Sequence, residues 1–390
     1  MEKNEKIHMT RKKIILFIHG LFIGGSERNV IDIARFLNRE KFDAELCVLS
    51  TVNMYSKELV LQVPSLKVIP WIVYLPVNLP WAKTNLKLIN PFRFAQWIAY
   101  LYKNRNCVWH FFCFPLIYLG GLFAMLFGNK KLITTIQDWD PWKNSIHVWL
   151  DNITYPYVAK IICDGYGCNT HWAKRLNLDA QKLLTIYDGI DTETLKATKP
   201  AGQLRREAGL PADALVAGLI ARFDIKKKGH DVFLDAAFQI LKKYPDAKFL
   251  ICGYGKDELK IKNMIAEKGL GKDVVFMGAR NDLANILSVL DVVVIASYSE
   301  SVPKLLLEAM FLGKAIVSTD AGDIREVLED GHTGLVVPKG EPGEMAAAVE
   351  RFFGSEKFRR DCGENARQKV MDCYTIDKSI AKLETNYTAI

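Results

Sequence analysis

Short apolar runs alternate with stretches of helical spacing along almost the whole chain. In the first half the runs are Ile14–Ile18, Ala44–Leu49, Val108–Phe112, Leu132–Ile136 and Lys160–Cys163, with helical patterns over Ser26–Leu37 and Phe92–Lys103. In the second half they are Leu215–Ile220, Lys248–Ile251, Val274–Met277, Val292–Ala296, Ala315–Ser318 and Gly334–Val337. Helical patterns there cover His230–Leu241, Lys256–Lys268, Leu283–Leu290, Pro303–Leu312 and Pro342–Phe353. This order predicts parallel sheets with helices on both faces, an α/β fold. One hydrophobic core seldom serves more than about 250–300 residues, and the chain has 390, so two such domains are expected. A polar stretch from Thr192 to Gly202 separates the two series and places a hinge near 190–200. Two doubly wound domains facing each other form a cleft, and such sheets bind ligands beyond the carboxyl ends of their strands.

Several classes are excluded. The apolar fraction of 49 % and charged fraction of 25 % are those of a globular protein, not of a disordered or collagen-like chain. Residues 106–129 carry no charge, but Pro115, Gly120, Gly121 and His110 interrupt them. They read as a buried strand and a buried helix rather than a membrane span. Arg11, Lys12 and Lys13 precede the run Ile14–Ile18 as in a signal peptide, yet His19, Glu27 and Arg28 follow at once. The run therefore reads as the first strand after a short polar leader. The eight cysteines, Cys47, Cys107, Cys113, Cys163, Cys168, Cys252, Cys362 and Cys373, form no C-x-x-C pair. They read as reduced thiols in a cytoplasm, not as a zinc site or a disulfide framework.

The net charge of +8 is unevenly placed: residues 1–190 carry 23 Lys or Arg against 14 Asp or Glu, the remainder 29 against 30. Residues 59–137 contain no acid at all, but do contain Lys67, Lys83, Lys87, Arg93, Lys103, Arg105, Lys130, Lys131 and four tryptophans, Trp71, Trp81, Trp97 and Trp109. Within them Asn90-Pro91 reads as a helix N-cap followed by proline at the first helical position. Phe94, Ile98 and Leu101 then share one face, and Arg93, Gln96, Tyr100 and Lys103 another. Such a basic, aromatic surface suits anionic lipid headgroups or an anionic acceptor; a solvated helix over a Trp-rich core is the plainer alternative. No nucleic-acid-binding pattern is present.

The densest chemistry lies at Ser299-Glu300-Ser-Val-Pro303-Lys304-Leu305 and on to Glu308 and Gly313, after the run Val292–Ala296. A loop-to-helix junction near Pro303, Lys304 and Leu305 offers unpaired backbone N–H groups to a phosphate. Glu300 on the loop and Glu308 in the helix are placed to grip paired hydroxyls from two ends, although a surface Glu and a helix Glu give the same spacing. In Gly218-Leu-Ile-Ala-Arg222 and Lys227-Lys228-Gly229-His230, an Arg after a strand and a Lys before a helix can converge on a diphosphate; a solvated basic loop is the alternative. Gly20 and Gly24-Gly25-Ser26-Glu27 form a strand–glycine turn–helix unit that lacks the G-x-G-x-x-G of dinucleotide sites. Gly253-Tyr-Gly255 and Thr319-Asp-Ala-Gly322-Asp-Ile-Arg-Glu326 are further turns of this kind.

Taken in order, these signals resemble the retaining glycosyltransferases of family 4, with the GT-B fold of two Rossmann-like domains. Gly24-Gly25-Ser26-Glu27 resembles their first glycine loop, and Tyr187-Asp-Gly189-Ile-Asp191 their N-G-V-D segment. Arg222 with Lys228-Gly229 is similar to their basic pair, Glu300 and Glu308 to their E-x7-E, and Gly331-His-Thr-Gly334 to their later turn. The resemblance implies an acceptor domain over 1–192, a nucleotide-sugar domain over 193–372 and a helix over 373–390 crossing back to the first domain. It implies a hexosyltransferase that needs no metal or cofactor beyond its donor, a UDP- or GDP-sugar. Arg222 and Lys228 would hold the diphosphate, Glu308 the ribose and Glu300 the donor-sugar hydroxyls. Gly24 and Gly25 would shape the phosphate or acceptor side, Gly253 would join the donor wall, and the Met277-Gly278 backbone would meet the base. The acceptor would be a glycan or lipid-linked saccharide at the cytoplasmic face of the membrane, with the basic first half against anionic lipid and no nucleic acid involved.

The sequence also departs from that pattern. Lys228 lies one residue further from Arg222 than usual, which leaves Lys227 as an alternative phosphate ligand. Ser301 stands where the family has glycine after its first Glu. Gln137-Asp138 stands where many members have His, so Asp138 or His110 is the candidate acceptor-side group. Asp138-Trp-Asp140 is similar to a D-x-D metal motif, but within a first domain of this type it is not expected to bind metal. A sugar-nucleotide epimerase or phosphorylase, and a scaffold that binds sugar nucleotide without turnover, share the same architecture and stay open.

Overall fold

A computed structural model of the chain describes residues 11–21, 24–50, 63–79, 82–112, 116–139, 143–176 and 179–390. Cys113, Pro115, Trp81 and Asp140 lie outside the described residues. The first sheet contains β1 (Lys12–Ile18), β2 (Phe42–Ser50), β3 (Leu66–Leu79), β4 (Ala82–Ile89), β5 (Val108–Phe112), β6 (Leu132–Ile136), β7 (Lys160–Cys163) and β8 (Leu183–Thr185). Their order is β4-β3-β2-β1-β5-β6-β7-β8, parallel throughout except for the antiparallel β3–β4 pair. The second sheet contains β9 (Val216–Ile220), β10 (Lys248–Cys252), β11 (Val274–Gly278), β12 (Val292–Ile295), β13 (Ala315–Thr319) and β14 (Leu335–Val337). It is wholly parallel, in the order β11-β10-β9-β12-β13-β14. The expected α/β class with two doubly wound sheets is therefore present.

Continuous apolar strands are what a sheet covered on both faces requires. On β12, Val292 and Val294 pack into one hydrophobic cluster, while Val293 and Ile295 pack into the cluster on the opposite face. The first sheet is sandwiched in the same way. The uncharged stretch 106–129 forms β5 and the helix Leu116–Phe127, as expected, and no helix among the described residues is long and apolar enough to cross a membrane.

The helix Pro91–Lys103 starts where expected: Asn90 Oδ1 accepts the Arg93 N–H at 3.0 Å. Its surface differs from the expectation. Trp97 and Leu101 are fully buried, and Trp71 and Trp109 are buried with them. Three tryptophans of the acid-free stretch thus belong to the core, as in the plainer alternative, because each indole buries a large apolar area. Tyr100, expected on the polar face, is half-buried and donates to Glu45 at 2.8 Å.

The helix Ile376–Ala389 places Ile376, Ile380, Leu383 and Tyr387 in the same cluster as Ile14, Leu16 and Val30 of the first sheet's layer. Ile190 and Ile376 are joined through Ile190 N–H to Tyr374 O and Ile376 N–H to Ile190 O, both at 2.9 Å. A side chain at Gly189 would meet the Ile376 backbone at 2.5 Å, so this crossing demands glycine.

Candidate active site

In each sheet the strand order reverses beside its central strand, between β1 and β5 and between β9 and β12. These are the switch points where doubly wound sheets take ligands. The carboxyl ends of β6, β9 and β12 and the helix start at Gly24 and Gly25 after β1 line one cleft of about 1350 Å³ between the two sheets. Single small-molecule sites run to about 300–1,000 Å³, so there is room for more than one substrate.

Arg222, just beyond β9, lies exposed on this wall. Lys227 and Lys228 follow on one helical turn that ends at Gly229, φ 64°. A Cβ at Gly229 would lie 2.0 Å from the Ala296 carbonyl, so only glycine lets the lysine turn approach the loop after β12. Lys228 Nζ donates to Glu300 Oε1, which also accepts from Ser297 Oγ at 2.6 Å. Burial alone would raise the Glu300 carboxyl, but Lys228 and then Lys227 outweigh it and hold the group below its ordinary range. Lys227 instead pairs with Asp138 on the opposite wall. Asp138 also accepts from Ser299 Oγ at 3.3 Å, which ties the Glu300 loop to the first domain. The two adjacent lysines thus serve different carboxylates.

Glu308 is buried on the helix Lys304–Phe311. Burial raises its carboxyl, against the pull of Arg28 and Lys304. Arg28, from the helix Gly25–Phe36 of the first domain, donates to Glu308 Oε1, while Oε2 has no partner among the described residues. Lys304 donates to Asp32 of that same helix at 2.5 Å. The start of this helix lies close to the second domain: a Cβ on Gly25 would be in ordinary contact with Lys304 Cβ, at 3.5 Å. Gly253, Pro303 and Leu305 also line the cleft. Gly253 adopts φ 151°, with the Ala221 carbonyl 1.9 Å from where a Cβ would be.

Two expectations need correction. His110 is not on the acceptor wall. It is fully buried, bridging Tyr387 Oη and Thr135 Oγ1 at 2.6 Å each, and burial pushes its imidazole down to about 3. It joins β5 to the C-terminal helix. Met277 and Gly278 do not line the cleft either: Met277 packs against the core, and the Gly278 carbonyl accepts the Gly253 N–H at 2.9 Å. The wall resumes at Ala279 and Arg280.

Sequence reasoning missed Arg28 and Asp32, although their four-residue spacing after the glycine loop puts them on one helix face. It also missed Asp164 and Asp188. Both line the cleft, and burial raises both, Asp188 to about 6. Gln137 Nε2 donates to Asp188 at 3.3 Å. No group of three or more His, Cys, Asp or Glu able to hold a metal ion occurs among the described residues. The arrangement offers cations beside a cavity, two deep carboxylates and an acidic opposite wall, a set suited to a polyhydroxylated diphosphate facing a second hydroxylated molecule.

Comparison with known proteins agrees with this chemistry. Residues 23–194 match the family described as Glycosyltransferase Family 4, and residues 202–369 the one described as Glycosyl transferases group 1. N-acetyl-alpha-D-glucosaminyl L-malate synthase of Bacillus anthracis is 29 % identical over 73 % of this chain and 75 % of its own. An Escherichia coli UDP-Gal:alpha-D-GlcNAc-diphosphoundecaprenol alpha-1,3-galactosyltransferase is 25 % identical over 69 % of this chain and 72 % of its own. The crystal structure of Anabaena HepE with UDP and glucose superposes with a TM-score of 0.83, covering 97 % of this chain and 100 % of HepE at 19 % identity. That likeness shows a shared fold, the two-domain GT-B architecture.

Proposed function

Since the chain belongs to glycosyltransferase family 4, we propose that it moves a hexose from a UDP- or GDP-sugar to a glycan or lipid-linked acceptor, retaining the anomeric configuration and using no metal. The observation that carries this reading is the pairing of Lys228 with Glu300 and Arg28 with Glu308 around one cleft at the switch points. In it, residues 193–372 bind the donor and residues 1–192 the acceptor.

Arg222 and Lys228 neutralise the diphosphate and the charge that grows on it as the glycosidic bond breaks. The free Oε2 of Glu308 accepts a ribose hydroxyl. Glu300, held ionised by Lys228, accepts hydroxyls of the donor sugar. The departing diphosphate takes the acceptor's proton on the same face, so no protein nucleophile is needed. The acidic wall of Asp138, Asp164 and Asp188 orients acceptor hydroxyls. HepE was solved with UDP and glucose, and the Escherichia coli relative is named for a UDP-sugar donor and a diphosphoundecaprenol-linked acceptor, which supports these classes.

The membrane-face part of the reading rests on a surface beside the cleft. On the helix Ser145–Thr154, Ile146, Trp149 and Ile153 are exposed on one face. Leu122, Met125 and Leu126 are exposed on the adjoining helix Leu116–Phe127. Ile117, Tyr118 and Tyr155, at the ends of the same two helices, line the cleft. The helix Leu116–Phe127 belongs to the acid-free stretch 59–137 and is followed by Lys130 and Lys131, and an apolar face in such a setting suits an anionic bilayer.

Thermal unfolding with UDP, GDP, ADP, dTDP and NAD tests the donor. A ligand at about 100 times its Kd stabilises by about 2.7 kcal/mol, and Glu308→Ala should shrink the shift. No shift with any diphosphate, or a shift with NAD alone, rejects the donor reading. Co-sedimentation with anionic vesicles tests the surface: Trp149→Ser should weaken it, and equal binding to neutral vesicles rejects the anionic-lipid reading.

A further inference from the structure

Beyond β13 the chain makes a short helical turn, Ile324–Val327, and two acids, Asp323 at its N-cap and Glu326 within it, reach across to the first domain. Glu326 accepts the backbone N–H groups of Tyr166 at 2.8 Å and Gly167 at 2.7 Å. Asp323 Oδ2 accepts that of Cys168 at 2.9 Å. These are successive donors of the first turn of the helix Tyr166–Leu176, whose N–H groups have no partner within the helix and whose dipole favours negative charge. Tyr187 Oη adds a fourth donor, to Glu326 at 2.8 Å.

The fit leaves no spare room. A Cβ on Gly167 would lie 2.3 Å from Asp323 Oδ1, and one on Gly165 2.0 Å from Oδ2. Two glycines flanking Tyr166 therefore admit the carboxylate from the other domain.

The same Asp323 Oδ2 accepts from Ser301 Oγ at 3.0 Å. Ser301 directly follows Glu300, and Gly322 packs on the Glu300 carbonyl so closely that a Cβ there would lie 1.8 Å from it. The helix start in one domain, Asp323, Ser301 and the Glu300 backbone thus form one continuous chain of contacts.

We propose that Asp323 and Glu326 are positioning residues that clasp the Tyr166–Leu176 helix when the cleft is closed and thereby fix Glu300 against the donor sugar. The proposal rests on the transferase reading for the role of Glu300, but the clasp itself is a matter of geometry. Charge-assisted hydrogen bonds to helix N–H groups are among the stronger polar contacts. Opening the cleft removes three of them from the two acids and leaves Ser301 as the one hydroxyl contact of Asp323 among those described. The Glu300 loop then loses its tether to the first domain at this point. Closure and the setting of Glu300 become one event, as in enzymes whose catalytic set is completed by domain closure.

The test uses the full chain with Asp323→Ala, Glu326→Ala, their double variant and, from the other face, Gly167→Ala. Nucleotide affinity, read by titration with the diphosphate that stabilises the parent, should be unchanged, because these residues lie outside the donor contacts. Transfer kcat should fall by about 100-fold, the loss expected for a misplaced reacting geometry, with donor KM little altered. Gly167→Ala should reproduce the Asp323→Ala loss, and combining the two should add nothing, because both break one contact. A kcat kept near the parent value in the double variant overturns the proposal, as do losses that multiply. Tyr187→Phe, which keeps the packing, gives a milder version if a larger change prevents folding. Small-angle scattering separates the two layers of inference. If the parent transfers no sugar, the transferase reading fails, and the clasp is still judged by whether the double variant opens relative to the parent. Identical scattering profiles overturn the clasp.

Discussion

Replacing Lys228 should reverse the pH dependence that Glu300 contributes to stability. Glu300 is only 7 % exposed, and its carboxyl sits below its ordinary 4.5 because Lys228, and after it Lys227, outweigh the cost of burial. A carboxyl depressed in the folded state stabilises above its unfolded value and loses that contribution as pH falls through the folded one. In the parent chain Glu300 is therefore neutral to pH between about 5 and 7. In Lys228→Met, burial, the largest influence, meets only Ser297 and a Lys227 already paired with Asp138. The carboxyl should then rise above 4.5, because burial is the largest influence on it. A raised carboxyl stabilises below its unfolded value and loses that contribution as pH climbs to the folded one. Stability should fall by about 1.4 kcal/mol per pH unit over that window, toward a loss of about 3–5 kcal/mol at neutral pH, as for other buried pairs that lose one partner. Urea unfolding near pH 5, 6 and 7 reads the slope directly. Lys227→Met, which removes the weaker of the two lysine influences, should change the slope less than Lys228→Met does, and Lys228→Met/Glu300→Gln should abolish it. A Lys228→Met curve parallel to the parent, or the same slope from Lys227→Met, would refute the assignment of Lys228 to Glu300.

Three further outcomes follow from single contacts. Tyr387→Phe removes the hydroxyl from the fully buried His110 Nδ1; it should cost about 1–3 kcal/mol in chemical denaturation, with diphosphate affinity unaltered. Gly229→Ala forces a Cβ against the Ala296 carbonyl at φ 64°, so calorimetry should show a lower Tm, and diphosphate binding should weaken as the Lys228 turn is displaced. Asp188 is raised from 3.8 to about 6, so the stability it contributes at low pH is lost as pH rises through about 6; Asp188→Asn should flatten that decline and be the more stable chain at pH 8, and an unchanged decline would place the titration elsewhere.

The elements legible in the sequence are those whose reason is local. β12 is a run of four buried aliphatic residues bounded by polar turns, and nothing but a doubly covered strand explains it. The helix Pro91–Lys103 announces itself by Asn90 and Pro91. The β3–β4 pair does not, because prolines inside Leu66–Leu79 argue against a strand. Its position resolves the conflict. Pro70 falls where the β2–β3 register shifts between Val48 and Ser50, and Pro76 lies past Ile72, beyond the last β2 pairing, where only β4 lies alongside. Neither place asks proline for a ladder bond that β2 would need.

The same distinction runs through the site. Lys228, Glu300 and Glu308 belong to two short segments whose turns and spacing carry their chemistry, and the structure brings all three to one cleft. His110 looked equally chemical, but a histidine on an apolar strand faces either a ligand or a distant partner, and its partner Tyr387 is 277 residues away. Arg28 meets Glu308 across 280 residues and Glu326 meets Tyr166 across 160, so no window of sequence holds both ends. Some unforeseen features, such as the Gln137–Asp188 bond and the β3–β4 pair, lie within the first domain, but the unforeseen contacts that bear on the cleft's closure join the two domains. Local segments therefore build each wall of the cleft, but which conformation brings the walls together is written in long-range pairs such as Arg28–Glu308, Lys227–Asp138 and the Asp323–Glu326 clasp. Substitutions in the Asp323–Glu326 clasp, which lies outside the donor contacts, should accordingly act on turnover, whereas Glu308, which faces both Arg28 and the donor, should act on affinity as well.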